Sequence, residues 1–214
     1  MPPCPGNTHY PSGPASRFIV LTGGPGSGKT TLIEALRSLG LATAPEAGRA
    51  IIREQVAIAG PALPWLDQRL FFEVILAWEM RTYRAMQGTA GPVFFDRGVP
   101  DAAGGWAMLG EAVPPHVRAA ISAFRYGPVV FLAPPWPEIY TGDAERKQDF
   151  AEAQRTFTAM RTAYREAGYD LAVLPKAPVP ARLRFLLETV AARVLPGDPL
   201  IGAALGRLDS GRLQ

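Results

Sequence analysis

Four short apolar runs without polar alternation mark the chain: Phe18 to Leu21, Val93 to Phe95, Val129 to Leu132 and Leu171 to Leu174. A strand with one wet face alternates apolar and polar residues, whereas a strand covered on both faces is apolar throughout. These runs therefore predict strands at the centre of a layered sheet. Leu41 to Ala44 is a fifth, weaker candidate. Between the runs lie helical stretches. Lys29 to Leu39 meets Gly40, Glu46 to Ala59 meets Gly60-Pro61, and Phe150 to Ala167 meets Gly168. Ala181 to Leu195 stops before Pro196. Leu66 to Met86 repeats apolar residues at Leu66, Leu70, Val74 and Ala77-Trp78, close to the helical period, and stops before Gly88. Glycine after a last turn and proline beyond it are helix stops. Strands alternating with helices predict βαβ units, hence a parallel sheet with helices on both faces.

Met1 to Ser16 carries Pro2, Pro3, Pro5, Pro11 and Pro14, which forbid a continuing helix or central strand. Residues 1–16 are expected to be a flexible tail, 17–195 a single domain and 196–214 a short docked or frayed tail. The length of 214 residues, with 48% hydrophobic and 19% charged residues, suits one domain with a sizeable core. No apolar run reaches the roughly 18 residues that span a bilayer. No basic segment followed by an apolar core opens the chain, so no secretory signal is expected. One cysteine, Cys4, excludes intrachain disulfides and multi-cysteine zinc sites. His9 and His116 are too few for a histidine-rich metal centre. The expected setting is the cytoplasm, without a membrane partner. The formal charge of +3 suits anionic small ligands, and no RNA-binding or zinc-finger pattern accompanies it, so nucleic acid is not the expected partner.

The chemistry starts at Gly23-Gly24-Pro25-Gly26-Ser27-Gly28-Lys29-Thr30, which satisfies G-x-x-x-x-G-K-[ST] between an apolar run and a helical stretch. Glycines permit positive φ, so successive N–H groups can turn inward around phosphate oxygens. The following helix adds free N–H groups and the positive end of its dipole. Lys29 can reach the β- and γ-phosphates, and Thr30 can ligate Mg²⁺. The expected cofactors are ATP and Mg²⁺, with a cradle of Gly23, Gly24, Pro25, Gly26, Ser27, Gly28, Lys29, Thr30 and Thr31. A guanine-reading Asn/Thr-Lys-x-Asp loop is missing, and the sole asparagine is Asn7 in the tail. The run Val93 to Phe95 ends in Asp96-Arg97-Gly98, where a positive charge follows the acid.

That Asp-Arg pair resembles the motif at the same place in thymidylate kinase and the deoxynucleoside kinases. The resemblance implies that Asp96 acts near Mg²⁺ or the nucleophile and that Arg97 holds substrate or phosphate. Pro45-Glu46, with Arg49 beyond it, is similar to the strand end where nucleoside kinases place a glutamate that takes the proton of the attacking hydroxyl. Asp143-Ala144-Glu145-Arg146-Lys147 resembles their basic lid, at about residues 140–150 here. Leu174-Pro175-Lys176-Ala177-Pro178, leading into a helix with Arg182, resembles the loop that packs against adenine. From about Arg17 to Leu195 the pattern is similar to small bacterial AAA-domain ATPases related to the ribosylnicotinamide kinase domain. The fold that this implies is an α/β P-loop NTPase three-layer sandwich, with a five-stranded parallel sheet and a helical lid. The lid carries fewer arginines than the best-known nucleoside kinases, and Gly48 stands where bulkier residues are often seen near the base.

Each assignment has a plainer competitor. Asp96 could cap a helix beginning near Val99, Arg97 could pair with a surface carboxylate, and Glu46 could be a first-turn acid. Arg146 and Lys147 could belong to a solvated face. Gln68 or Arg69 could face an acceptor, and the four tryptophans are assigned to core or pocket walls. The expected reaction is transfer of the ATP γ-phosphate to a small acceptor such as a nucleoside, ribosyl compound or nucleotide. Lys29, Asp96, Glu46 and Arg146 are the catalytic candidates. Arg97, Glu46 and Lys147 are the substrate contacts, and Thr30 and Asp96 the metal ligands. Either Glu46 or Asp96 could be the general base. Two alternatives stand beside this reading: an ATPase or nucleotide-dependent regulator of a protein partner, and a toxin- or antibiotic-type phosphotransferase.

Overall fold

A computed structural model describes residues 14–140 and 149–210. Its five strands form one parallel sheet: β1 (Phe18–Gly23), β2 (Ala42–Ala44), β3 (Val93–Asp96), β4 (Val129–Ala133) and β5 (Asp170–Val173), in the order β2-β3-β1-β4-β5. All four strand pairs are parallel. The helices are α1 (Lys29–Ser38), α2 (Ala47–Ala57), α3 (Gln68–Met86), α4 (Pro100–Met108), α5 (Pro115–Ala123), α6 (Phe150–Glu166), α7 (Val179–Arg193) and α8 (Pro199–Asp209).

The apolar runs of β1, β3 and β4 are covered on both sides, whereas Leu171 to Leu174, expected at the centre of the sheet, falls on the edge strand β5, where Val173 is 49% exposed. Ile19, Leu21, Phe94 and Phe131 face one way and pack with Leu32 and Leu36 of α1, Leu183 and Leu187 of α7, and Ile201 of α8. Phe18, Val20, Val93, Phe95 and Val130 face the other way, against Leu76 and Tyr83 of α3, Trp106 of α4, Val117 of α5 and Tyr164 of α6. A smaller cluster joins α2 to α3 through Ile51, Ile52, Phe71 and Ile75. Helix ends follow local chemistry. Asp67, Asp149 and Asp198 each accept a first-turn N–H through the side chain. Gly40 and Gly168 follow the last turns of α1 and α6 with positive φ.

Two helices, α5 and α8, lie outside the sequence expectations, and a third, α4, entered them only as a helix that Asp96 could cap. The stretch read as a C-terminal tail contains α8, whose Ile201, Ala204 and Leu208 are buried in the core. In α4, every residue from Pro100 to Trp106 is buried, so no polar face marks the period. Its Gly104 and Gly105 are where neighbours come close: an added Cβ would stand 2.5 Å from Met160 of α6 or from the Phe72 ring of α3. α5 begins at Pro115 after Pro114, with proline at the first helical position. Among the described residues, no helix is long and apolar enough to cross a membrane.

β1 leads through α1 to β2, which skips over β3, so the strand order reverses between β1 and β3. The crevice at the carboxyl ends of such neighbouring strands is where open α/β sheets hold ligands. Gly23-to-Thr30, Glu46 and Asp96 all lie there.

Candidate active site

The loop from β1 to α1 is held open by glycine. Gly23, Gly26 and Gly28 take φ of 137°, 65° and 76°. Gly28 is the N-cap of α1 and supplies no side chain, so the first N–H groups of the helix face the loop. A Cβ at Gly28 would stand 2.6 Å from Arg182 Nη1. Lys29 is buried, and its ammonium donates to the Gly24 carbonyl at 2.8 Å and the Gly23 carbonyl at 3.1 Å. Thr30 and Thr31 are exposed at the start of the helix.

Pro25 to Thr31 form one wall of a cleft of about 370 Å³. The rest of the lining comes from Glu46, Arg49 and Asp96, and from Trp136, Ile139, Ala177, Pro178, Val179 and Arg182. Arg182 donates to the Ser27 carbonyl at 3.0 Å, and its guanidinium carbon lies 5.9 Å from the centre of the Trp136 ring. Burial draws its pKa below the usual arginine value. Trp136 is thus a pocket wall, as expected of the tryptophans.

The plainer readings of three acids and bases separate here. Val99, not Asp96, caps α4. Asp96 is only 4% exposed, and its Oδ1 has no hydrogen-bond partner among the described residues. Burial raises its pKa, the Lys29 ammonium opposes that rise, and the Glu46 carboxylate adds to it. Glu46 is the N-cap residue of α2 but makes no side-chain capping bond. Its Oε2 instead lies 3.3 Å from Arg49 Nε, facing the cleft. Arg97 pairs with a buried carboxylate rather than a surface one: its Nη1 donates to Asp101 Oδ1 at 2.8 Å. Its φ of 79° is in the left-handed region that non-glycine residues rarely adopt, a conformation costing on the order of 1–3 kcal/mol. The Arg97 N–H donates to the Leu21 carbonyl at 2.9 Å, which fixes this turn to β1. Burial works against the Arg97 charge, but Asp101, Asp96 and Glu46 outweigh it and hold the guanidinium above the usual arginine range.

Arg97 and Asp101 line a second cavity, of about 310 Å³, which shares Pro25 with the first. Its walls come from α2 (Ala47, Gly48, Ile52), α3 (Gln68, Phe71, Phe72, Ile75), α4 (Gly105, Met108) and α6 (Glu152, Thr156, Met160). Gln68 therefore faces a cavity, whereas Arg69 is two-thirds exposed and forms an ion pair with Glu111 at 2.6 Å. Asp101 was not singled out from sequence, although a signal existed. An acid inside the apolar stretch Val99 to Trp106 must find partners when buried. The Tyr164 hydroxyl is one of them. The expected lid residues Arg146 and Lys147 lie outside the described residues.

One further acid is buried behind this wall. Glu79 of α3 is 2% exposed, and its Oε1 has no partner among the described residues. Burial, then the nearby Asp101 and Asp96 carboxylates, push its pKa well above the ordinary 4.5, with Arg97 opposing. Folding thus favours neutral Glu79. The contribution is complete below the unfolded value and is lost as pH rises towards the folded one. Glu79→Gln keeps the shape without the ionisation. Its stability relative to wild type is expected to improve from acid to neutral pH, by up to ~1.4 kcal/mol per pH unit within that window. Urea-unfolding midpoints of both proteins across pH check this, and a pH-independent difference would contradict it.

Comparison with known proteins agrees with this architecture. A family model described as AAA domain matches residues 18–182. No curated protein matches the chain. Among solved structures, NadR protein in complex with NR superposes with a TM-score of 0.61 at 18% identity, covering 84% of this chain and 51% of that one. NadR protein in complex with NAD and AMP-PNP gives 0.60 at 16%, covering 85% and 50%. Deoxyadenosine kinase from M. mycoides, with products dcmp and a flexible dcdp bound, gives 0.57 at 13%, covering 82% and 99%. The chain spans about half the length of the NadR chains and nearly all of the deoxyadenosine kinase chain. With the family model covering most of its length and a P-loop kinase fold shared with these structures, this chain belongs to the AAA-domain family.

Proposed function

We propose that the protein transfers the γ-phosphate of ATP to a hydroxyl group of a small acceptor seated in the second cavity. The observation that carries this reading is the pair of adjoining cavities, about 370 and 310 Å³, meeting at Pro25. A hydrolase that only drives a partner needs the first. A concave, largely apolar second site beside the phosphate loop is what an acceptor requires.

In this reading Gly23 to Thr31 hold the triphosphate. Lys29 exchanges the Gly23 and Gly24 carbonyls for β- and γ-phosphate oxygens. Ala177, Pro178, Trp136 and Arg182 flank the base. The residues fit Mg²⁺: a buried Asp96 Oδ1 lacking a partner and the Thr30 hydroxyl line one cleft, and magnesium commonly takes few protein ligands beside phosphates. When bound, magnesium–ATP supplies the transferable group and neutralises part of its charge. Glu46, oriented by Arg49, takes the acceptor proton, with Asp96 the competing base. Arg97 orients the acceptor, and Arg146 and Lys147 close over the transferring group. The ligands named for the NadR and deoxyadenosine kinase structures, an NR, an NAD with AMP-PNP, and dcmp with dcdp, support this two-ligand reading.

The test is ADP formation from magnesium–ATP with and without a pool of nucleosides, ribosyl compounds and nucleoside monophosphates. Stimulation of about tenfold or more is expected, in line with catalysis by positioning of an acceptor. A low rate that the pool leaves unchanged, despite ATP binding, would favour a regulator that acts on a protein partner.

A further inference from the structure

The second cavity carries information about the charge of what enters it. Asp101 is 5% exposed and accepts from four donors. Thr22 Oγ1 and Arg97 Nη1 donate to Oδ1 at 2.7 and 2.8 Å. The Tyr164 hydroxyl and the Gly98 N–H donate to Oδ2 at 2.6 and 3.1 Å. These donors come from β1, from the turn after β3 and from α6, so the carboxylate is fixed from three directions.

Arg97 is therefore matched before any ligand arrives. The charged residues lining the cavity are Arg97 and Arg155 against Asp101 and Glu152, and Arg155 is exposed. Two positive charges balance two negative ones, and the Glu46 and Asp96 carboxylates lie within electrostatic reach of Arg97. Arg97, the largely buried cation of the described lining, is already matched by Asp101, so a phosphate dianion would meet only the solvent-exposed Arg155, and it would approach a buried carboxylate. A neutral acceptor meets no such penalty, with Gln68 and Thr156 for hydrogen bonds and Phe71 and Phe72 for an apolar body.

We propose that Asp101 determines acceptor specificity: by holding Arg97 in a closed ion pair, it makes the second cavity select uncharged hydroxyl compounds and reject acceptors that already carry a phosphate. This deepens the kinase reading and rests on it.

The test uses matched acceptors, thymidine and cytidine against their 5′-monophosphates. Phosphoryl transfer is measured in one arm. Equilibrium binding is measured in the other, with a non-hydrolysable ATP analogue saturating the phosphate loop. Wild type is expected to favour the nucleoside by about 100-fold in kcat/KM, and by a comparable ratio in binding. Asp101→Asn is expected to cut that ratio about tenfold, mainly by tightening the monophosphate. Tyr164→Phe, which removes one donor from Asp101, is the second variant should the first fail to fold, with a change of about threefold in the same direction. Equal or preferred use of the monophosphate by wild type would overturn the proposal while leaving the kinase reading intact. An unchanged ratio in the folded variants would overturn the role of Asp101. If neither acceptor is phosphorylated and the wider pool also leaves ADP formation unchanged, the kinase reading fails. The binding arm then decides alone: monophosphate held as tightly as nucleoside, or neither held, overturns the proposal, and a nucleoside preference upholds it.

Discussion

Lys29→Ala is expected to lower ADP formation by about 1,000-fold or more, the scale on which removal of a preorganised charge acts on phosphoryl transfer. The ammonium is held by the Gly23 and Gly24 carbonyls and lies 3.3 Å from Ser27 Oγ. These partners keep the charge poised at the loop. The glycine backbone angles and the start of α1 are set by other bonds, such as Ser27 Oγ to the Gly24 carbonyl at 2.8 Å. The variant is therefore expected to keep its fold, with a melting temperature within a few degrees of wild type. Steady-state ADP release, measured beside a melting curve, checks both halves. Turnover within tenfold of wild type would remove Lys29 from the mechanism.

The second large effect is expected at Glu46. Glu46→Gln should slow phosphoryl transfer by about 100-fold, the lower range for loss of a general base, while ATP affinity changes by no more than about twofold. The separation follows from placement. Glu46 lines the same cleft as the phosphate loop, and its carboxylate contacts Arg49 while making no capping bond to α2. Asp96→Asn is the companion variant. Its side chain is buried beside Lys29 with a free Oδ1, so it should weaken magnesium-dependent nucleotide binding as well as transfer. Transfer rates and nucleotide-analogue affinities of the two variants form the check. Intact transfer in Glu46→Gln, together with its loss in Asp96→Asn, would move the base to Asp96.

What could be seen in the sequence was local. The phosphate loop is eight consecutive residues whose types are each demanded by backbone geometry or charge, and it sits where expected between β1 and α1. The runs of β1, β3 and β4 were visible because cover on both faces leaves an apolar signature, whereas β5 (Asp170–Val173) lies at the sheet edge, one residue before the expected run, with Asp170 and Val173 exposed. What could not be seen was assembled over distance. Asp101 gains its meaning from Thr22 and Tyr164, 79 and 63 residues away. Glu79 lies on a helix whose period marks one face as apolar, and only the packed structure brings Asp96 and Asp101 up behind it. α4 was hidden by being buried all round and by two glycines that are poor helix formers but permit close approach of Met160 and Phe72.

The most direct test of the two-cavity account follows the phosphate itself. The protein is incubated with γ-labelled ATP, magnesium and a nucleoside pool, and the label is traced between acceptor and inorganic phosphate. The account predicts label on a hydroxyl group of a pool component, stoichiometric with ADP and lost in Lys29→Ala. Label recovered only as inorganic phosphate, at a rate indifferent to the pool, would contradict it.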